Sequence, residues 1–203
     1  TSESQYMATI SWAASQLYSL TGNTEYAAIA AEHTRYTVDC QETRPLENGF
    51  RGWFYRNREG HSIVHYIHQS REQIYMQAME ILCRTQPDHP DRHLWENSMK
   101  LYGEYLKGLR QYTEPYGMLA SGVWKTDEWE DEKGFSSLHI FAPADAPETY
   151  SEQVKNGVKI DEKHYVKRFP VWLNIFNGNT AIHLSTGKAA AICGKYFKDE
   201  ELI

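Results

Sequence analysis

Short turns between segments of helical periodicity constrain this chain more than any other feature of its sequence. The stretch SLTGNTEYA joins a helix predicted over 4–20 to one predicted over 25–40, and glycine commonly ends such helices. The PDHP turn joins a third helix, predicted over 62–86, to a fourth over 91–112. A fifth begins near Asn179 and ends in GKYFKDEEL, which resembles SLTGNTEYA and predicts the start of a sixth. The chain is therefore predicted to fold as helical hairpins.

Two connections between these helices are long, over 43–60 and over 113–178. In an up-and-down helical array successive connections alternate between two ends, so both long connections are expected at the same end. From 113 onward, glycine, proline, aromatic residues and the acidic run TDEWEDEK replace the helical period, which predicts a functional segment or short strands. A site is predicted at this end, because loops held by a rigid scaffold commonly carry function.

Composition excludes several classes of function. With 41% hydrophobic and 24% charged residues, the chain has the composition of a globular protein. Its formal net charge of -6 and its lack of a lysine or arginine cluster predict no nucleic-acid or anionic membrane partner. No apolar run approaches the roughly 20 residues that span a bilayer. Cys40, Cys83 and Cys193 lack metal-site or disulfide spacing and are predicted to be buried.

The stretch HSIVHYIHQSRE, residues 61–72, begins the predicted third helix. Helical periodicity places His61, His65, His68 and Glu72 on one face and isoleucines on the other. This face is compatible with a solvated surface, a His-x-x-x-His metal site, a nucleophile triad or the polar wall of a small-molecule cleft. The H-E-x-x-H motif and a nucleophile elbow are absent, and the helix has no lysine, so the cleft wall is favoured. No metal or cofactor is predicted.

Two loop segments combine aromatic rings with charged groups. They are FRGWFYRNR at 50–58 and TEPYGMLASGVWKTDEWEDE at 113–132. Aromatic side chains stack on the apolar faces of sugar rings, while carboxylates, amides and guanidinium groups bind the hydroxyls at the rim. This combination predicts a carbohydrate ligand.

Four segments together carry a family resemblance: FRGWFY, HYIHQSREQIYMQAMEIL, YTEPYGMLASGVW and RFPVWLNIFNGNTAIHLSTGKAAA. They are similar to bacterial proteins of the six-hairpin glycosidase superfamily, which resemble family 9 endoglucanases, over nearly the whole chain. The resemblance implies an all-α fold, an (α/α)6 toroid in which odd-numbered helices surround a cleft. Residues 1–203 would form part of this single domain, with about half of its helices, and 113–178 an insertion lining the cleft.

The same resemblance implies a periplasmic or secreted protein. It also implies that the remainder of the toroid lies outside this chain. Both ends of the sequence look cut from a longer polypeptide, in agreement with that expectation. The family's aspartate-rich motif, DAGD, does not occur in the sequence. The favoured hypothesis is a glycoside hydrolase that acts on a polysaccharide or its oligosaccharides with two carboxyl groups. The alternatives are a polysaccharide lyase on the same toroid, in which histidine or tyrosine removes a proton from a uronic acid, and a non-catalytic carbohydrate-binding protein.

Helix phase and loop position select the candidate residues. The candidate catalytic residues are Glu72, His68, Glu114, Asp127 and Glu128. The candidate sugar-binding residues are Arg51, Trp53, Tyr55, His65, Arg71, Tyr116, Trp124, Trp172, Asn177 and His183.

Overall fold

The computed structural model describes residues 2–64, 72–115, 120, 122–125, 157–167 and 178–203, of which 157, 167 and 178–184 are described by their backbone alone. This part of the chain is mostly helical, as predicted. Its α-helices are α1 (Glu3–Thr21), α2 (Thr24–Asp39), α3 (Gln73–Thr85), α4 (Arg92–Arg110) and α5 (Gly178–Phe197). None of them is long and apolar enough to cross a membrane.

The predicted start of the third helix is wrong. Residue 63 forms an isolated β-bridge with Tyr55, and the Val64 amide donates to the Phe54 carbonyl at 2.7 Å, so 61–64 is paired with a loop and is not helical. The branched side chains of Ile63 and Val64 are buried by this pairing, and tertiary contact overrides the local helical period. Among the described residues, helix α3 covers Gln73–Thr85.

Local contacts determine the helix ends. The Asn23 side chain caps α2 by accepting a hydrogen bond from the Glu25 amide at 2.9 Å. The acidic segment predicted to begin a sixth helix forms a 3-10 turn, Glu200–Leu202, in this chain. A second 3-10 turn, Gln111–Thr113, extends the end of α4.

Small polar residues allow α1 and α2 to pack closely as a hairpin. The Ser11 hydroxyl donates to the Ala30 carbonyl at 2.9 Å and lies 2.5 Å from the Thr34 hydroxyl. Ala8, Ser11 and Ala30 are all fully buried between the helices. Because these side chains are short, the two backbones approach each other and the buried hydroxyls satisfy one another.

Helix α3 packs between α1 and α5. On the α1 side the Tyr75 hydroxyl lies 2.9 Å from the Ser4 hydroxyl, and on the α5 side the Cys193 thiol contacts the Met76 sulfur at 3.3 Å. Helices α2 and α4 pack beside this row, α2 chiefly on α1 and α4 on α3 and α5. Odd-numbered helices are therefore neighbours of one another, with even-numbered helices packed alongside.

The three cysteines confirm the prediction of buried thiols. All are free and buried. Burial raises the pKa of Cys40 to about 12, that of Cys83 to about 11 and that of Cys193 to about 12. Since the thiolate is the reactive form, these residues act as apolar core side chains.

The segment between α4 and α5 contains short strands, which was one of the two predicted possibilities. Strands β1 (Gly122–Lys125), β2 (Gly157–Lys159) and β3 (His164–Lys167) form an antiparallel sheet in the order β1-β3-β2. Its register places Val123 opposite Val166 and Lys125 opposite His164. Side chains alternate between faces, so these four residues share one face of the sheet.

We expect Gly187→Ala to raise the free energy of unfolding by about 0.5–1 kcal/mol, since glycine in a helix interior is less favourable than alanine. A β-carbon at Gly187 in α5 would meet no atom within 4 Å. Urea denaturation measures the change. Gly194→Ala in the same helix is the matched control, because its β-carbon would lie 2.9 Å from an Ile203 side-chain carbon and 3.0 Å from the Asp199 carbonyl oxygen. Equal gains in both variants would contradict the packing described for α5.

Candidate functional site

The two long connections meet at one end of the helices, as the alternation of loop lengths predicts. The start of α1, the loop around Tyr55 and the start of α3 join there, because the Ser4 hydroxyl donates to the Tyr55 carbonyl at 2.7 Å and lies beside the Tyr75 hydroxyl. The end of α4 and strand β1 reach the same region, where the Val123 amide donates to the Tyr105 hydroxyl at 3.0 Å. The candidate residues described below belong to this end.

Glu72 is a buried carboxyl at the N-terminus of α3. It is 8% exposed, and one of its oxygens accepts a hydrogen bond from the Thr186 hydroxyl of α5 at 3.2 Å. Burial raises the pKa of Tyr102 and that of Tyr105 above the usual tyrosine value. The nearby negative charge of Glu72 adds to the increase in both pKa values. A carboxyl group is thus held close to phenol rings of the α4 end.

The α5 side of this region is polar. The Ser185 hydroxyl donates to the side-chain oxygen of Gln73, one residue after Glu72, and Thr186 donates to Glu72 itself. Two adjacent hydroxyls of α5 therefore orient two adjacent side chains at the start of α3.

Glu42 is a second buried carboxylate, and sequence reasoning missed it. Its oxygens accept hydrogen bonds from the Tyr55 hydroxyl at 2.7 Å and from the Arg44 side chain at 3.2 and 3.3 Å. Burial acts to raise its pKa, but the Arg44 and Tyr55 hydrogen bonds lower it more, so the pKa of Glu42 lies below its ordinary value. Glu42 is therefore ionised at neutral pH and anchors the Tyr55 ring.

Because the folded-state pKa of Glu42 is depressed, its stabilising contribution is present above the unfolded-state pKa of about 4.3 and is lost as pH falls through the folded-state value. We expect Glu42→Gln to be less stable than wild type at neutral pH, with the difference shrinking on acidification below about pH 4. Urea denaturation at a series of pH values measures it. Glu47→Gln, on an exposed residue of the same loop, is the control. A difference that stays constant with pH would refute the ionised state assigned to Glu42.

His164 and Asp161 form a hydrogen-bonded pair at the β2–β3 turn, and neither was predicted. The His164 Nδ1 atom lies 2.9 Å from Asp161 Oδ1 and 3.0 Å from Oδ2. Asp161 Oδ1 also accepts hydrogen bonds from the backbone amides of Lys163 at 2.8 Å and His164 at 2.7 Å. Burial acts to raise the pKa of Asp161, but these backbone amides and the imidazole lower it more. The spacing D-x-x-H between two runs of alternating residues, GVKI and HYVK, was the signal available in the sequence.

The sheet brings His164 to the aromatic loop. The His164 ring lies 6.0 Å from the Trp53 ring, centroid to centroid, and Trp53 in turn contacts Tyr55 and Tyr105 at 6.4 and 6.1 Å. Opposite His164 in the register, the Lys125 ammonium donates to the His61 carbonyl at 2.7 Å and lies over the Tyr55 ring. The inner face of the sheet thus rests on the loop that precedes α3.

The structure places two of the predicted sugar-stacking residues in the core. Trp53 and Trp124 are each 1% exposed, so neither indole offers a face to a ligand in this arrangement. Tyr55 is also buried, and its hydroxyl is engaged by Glu42. The aromatic residues of these loops predicted sugar binding. The sequence alone, however, does not distinguish an aromatic ring buried in the core from one that lines a cleft.

Other candidates lie apart from this cluster or outside the described residues. Arg51 is exposed, and its guanidinium donates to the Thr43 carbonyl at 3.3 Å. Glu114 is exposed after the 3-10 turn that follows α4. The backbone of His183 belongs to α5. The candidates that lie outside the described residues are His65, His68, Arg71, Tyr116, Asp127, Glu128, Trp172 and Asn177.

Comparison with known proteins leaves the family open. Neither the protein-family models, nor the curated proteins, nor the solved structures contain a match to this chain. The resemblance to six-hairpin glycosidases therefore depends on the sequence segments alone.

Proposed function

We propose that this chain is part of a glycoside hydrolase and that Glu72 is one of its two proton-transferring groups. The observation that supports this most is the position of the Glu72 carboxyl. It is buried beside phenol rings, at the end of the helices where both long connections meet. Glycoside hydrolysis needs a carboxylic acid that can give a proton to the glycosidic oxygen.

The surroundings of Glu72 suit that role. The Thr186 hydroxyl fixes one carboxyl oxygen, so the group has a defined direction. A general acid of this kind contributes about 10²–10⁴-fold to a reaction rate.

We further propose that the helices belong to an (α/α)6 toroid. The support is the order of packing, in which α1, α3 and α5 are successive neighbours and α2 and α4 lie alongside. The outer side of α1 exposes the apolar residues Tyr6, Ile10, Leu17 and Leu20, and residues 4–24 contain no charged side chain. A face of this kind suits another helix of the same toroid.

A panel of purified glycans, incubated with the full-length protein, tests the function. New reducing ends without ultraviolet absorbance from a new double bond are the expected result, because hydrolysis adds water across the glycosidic bond. Absorbance appearing together with reducing ends would replace hydrolysis with elimination by a lyase. Calorimetric binding of a glycan without any cleavage would overturn the enzyme proposal in favour of a carbohydrate-binding protein.

A further inference from the structure

We propose that Thr186 is a positioning residue of the proposed reaction, and that its hydroxyl stabilises the negative charge that forms on Glu72 when that carboxyl group gives up its proton. The inference rests on the proposed function, because it concerns the same carboxyl group. Thr186 lies on α5, 114 positions from Glu72, and it was not among the residues selected from the sequence.

The hydrogen bond between Thr186 and Glu72 joins two buried side chains. Thr186 Oγ1 donates to Glu72 Oε2 at 3.2 Å. Glu72 is 8% exposed and Thr186 is 5% exposed. Because so little of either residue is open to solvent, water cannot readily replace the hydroxyl, and the low local dielectric strengthens the interaction.

The Thr186 hydroxyl is used differently from several other helical hydroxyls. The hydroxyls of Thr21, Thr37 and Thr85 each donate to the backbone carbonyl four residues earlier in their own helix. A hydroxyl has one proton to donate, and Thr186 directs its proton to a side chain of α3. The contact therefore acts on Glu72 and not on the backbone of α5.

Neighbouring contacts hold α5 in a fixed position against the start of α3. The Ser185 hydroxyl donates to the side-chain oxygen of Gln73, and the Cys193 thiol contacts the Met76 sulfur at 3.3 Å. The threonine hydroxyl is thus fixed relative to the carboxyl group before any ligand arrives. A preorganised donor of this kind needs no rearrangement when charge develops on its acceptor.

In the proposed step, the proton on Glu72 Oε1 moves to the glycosidic oxygen. The bond from that oxygen to the anomeric carbon breaks, and its electron pair goes to the oxygen. The carboxylate left on Glu72 shares its charge between Oε1 and Oε2, so the hydrogen bond from Thr186 to Oε2 becomes stronger than it was to the neutral acid. Water then supplies hydroxide to the anomeric carbon, and its remaining proton returns to Glu72 through solvent. A bond that strengthens during proton transfer lowers the barrier to it.

The test compares full-length wild type with Thr186→Val and Thr186→Ser on a glycan from the panel that wild type cleaves. Valine keeps the shape of threonine without the hydroxyl, whereas serine keeps the hydroxyl. We expect Thr186→Val to lower kcat by about 10–100-fold, with a smaller change in KM, because it removes a hydrogen bond to a group that becomes charged. Thr186→Ser should recover most of the loss.

A second substrate separates this role from a structural one. An aryl glycoside of the same sugar with a dinitrophenolate leaving group needs no proton from Glu72, because that phenolate leaves as a stable anion. Thr186→Val should cleave it at close to the wild-type rate, whereas a distorted site would slow both reactions.

Thr37→Val is the matched control. Thr37 is a buried threonine of α2 whose hydroxyl donates to the His33 carbonyl at 3.0 Å, so this variant removes a similar hydroxyl away from Glu72. It should match wild type on both substrates. Thermal melting establishes that each variant is folded. If Thr186→Val does not fold, Thr186→Ala takes its place under the same expectations, since alanine also lacks the hydroxyl and suits a helix better.

Each contrary outcome has a separate meaning. Wild-type turnover of the glycan by folded Thr186→Val would overturn the role of Thr186 and leave the glycosidase proposal standing. Equal losses on both substrates, or a Thr186→Ser variant no faster than Thr186→Val, would make the contact a structural one between α3 and α5 and overturn the inference. A wild-type protein that cleaves no glycan would overturn the proposed function and this inference with it.

Discussion

Glu72→Gln is expected to lower kcat by about 10²–10⁴-fold on any glycan that the wild-type protein hydrolyses, because an amide cannot donate the proton that the leaving sugar oxygen needs. The substitution keeps the size of the side chain and an oxygen that can accept the Thr186 hydroxyl. The free energy of unfolding should therefore change far less than the rate. Initial rates and urea denaturation, measured on the same preparation, separate the two effects.

Glu80→Gln provides the matched control for Glu72→Gln. Glu80 lies on the same helix, two turns away, and its carboxylate pairs with Arg84 at 3.3 Å on a partly exposed surface. It should retain wild-type turnover, because an exposed i,i+4 ion pair contributes little. Turnover equal to wild type in Glu72→Gln would remove Glu72 from the mechanism, whereas equal losses in both variants would indicate general damage to α3.

Gly52→Ala is expected to lower the free energy of unfolding by about 2–5 kcal/mol, from backbone strain and overpacking together. Gly52 has φ of +109°, and a β-carbon there would lie 2.6 Å from the Leu101 carbonyl oxygen and 3.0 Å from the Tyr105 β-carbon. Its amide donates to the Glu42 carbonyl at 2.9 Å, so the backbone cannot move away without losing that bond. Urea denaturation measures the loss.

Gly49→Ala separates the two causes. Gly49 also has positive φ, +83°, but a β-carbon there would meet no atom within 4 Å. It should cost only the conformational strain of about 1–2 kcal/mol. If Gly52→Ala cost no more than Gly49→Ala, the close contact between Gly52 and α4 would be refuted.

The helical hairpins could be predicted because their signals are local. The glycine after α1 adopts the left-handed conformation that ends helices, and the PDHP turn separates α3 from α4. The prediction that both long connections lie at the same end of the helices depended only on the alternation of successive connections between two ends. It required no knowledge of tertiary contacts. Burial of the cysteines followed equally from composition and spacing.

Predictions that depended on contacts between residues distant in sequence differ from the structure. A helical period predicted that the third helix would begin at residue 62, yet Ile63 forms a β-bridge with Tyr55. Trp53 and Trp124 were predicted to stack on sugars, and both are buried. In each case a partner far away in sequence decides the conformation, and periodicity carries no information about that partner.

The sequence by itself determined the helical class, the hairpin order and the end at which the long connections meet, because each follows from periodicity, turn residues and connection length. It also singled out Glu72. Only the tertiary structure shows that Glu72 lies beside tyrosines of α4 and Thr186 of α5. It also shows that the D-x-x-H turn places the His164 ring next to the Trp53 ring. The pairs Glu72–Thr186 and Trp53–His164 join residues more than a hundred positions apart, and they meet only because packing of the helices and the sheet brings them together.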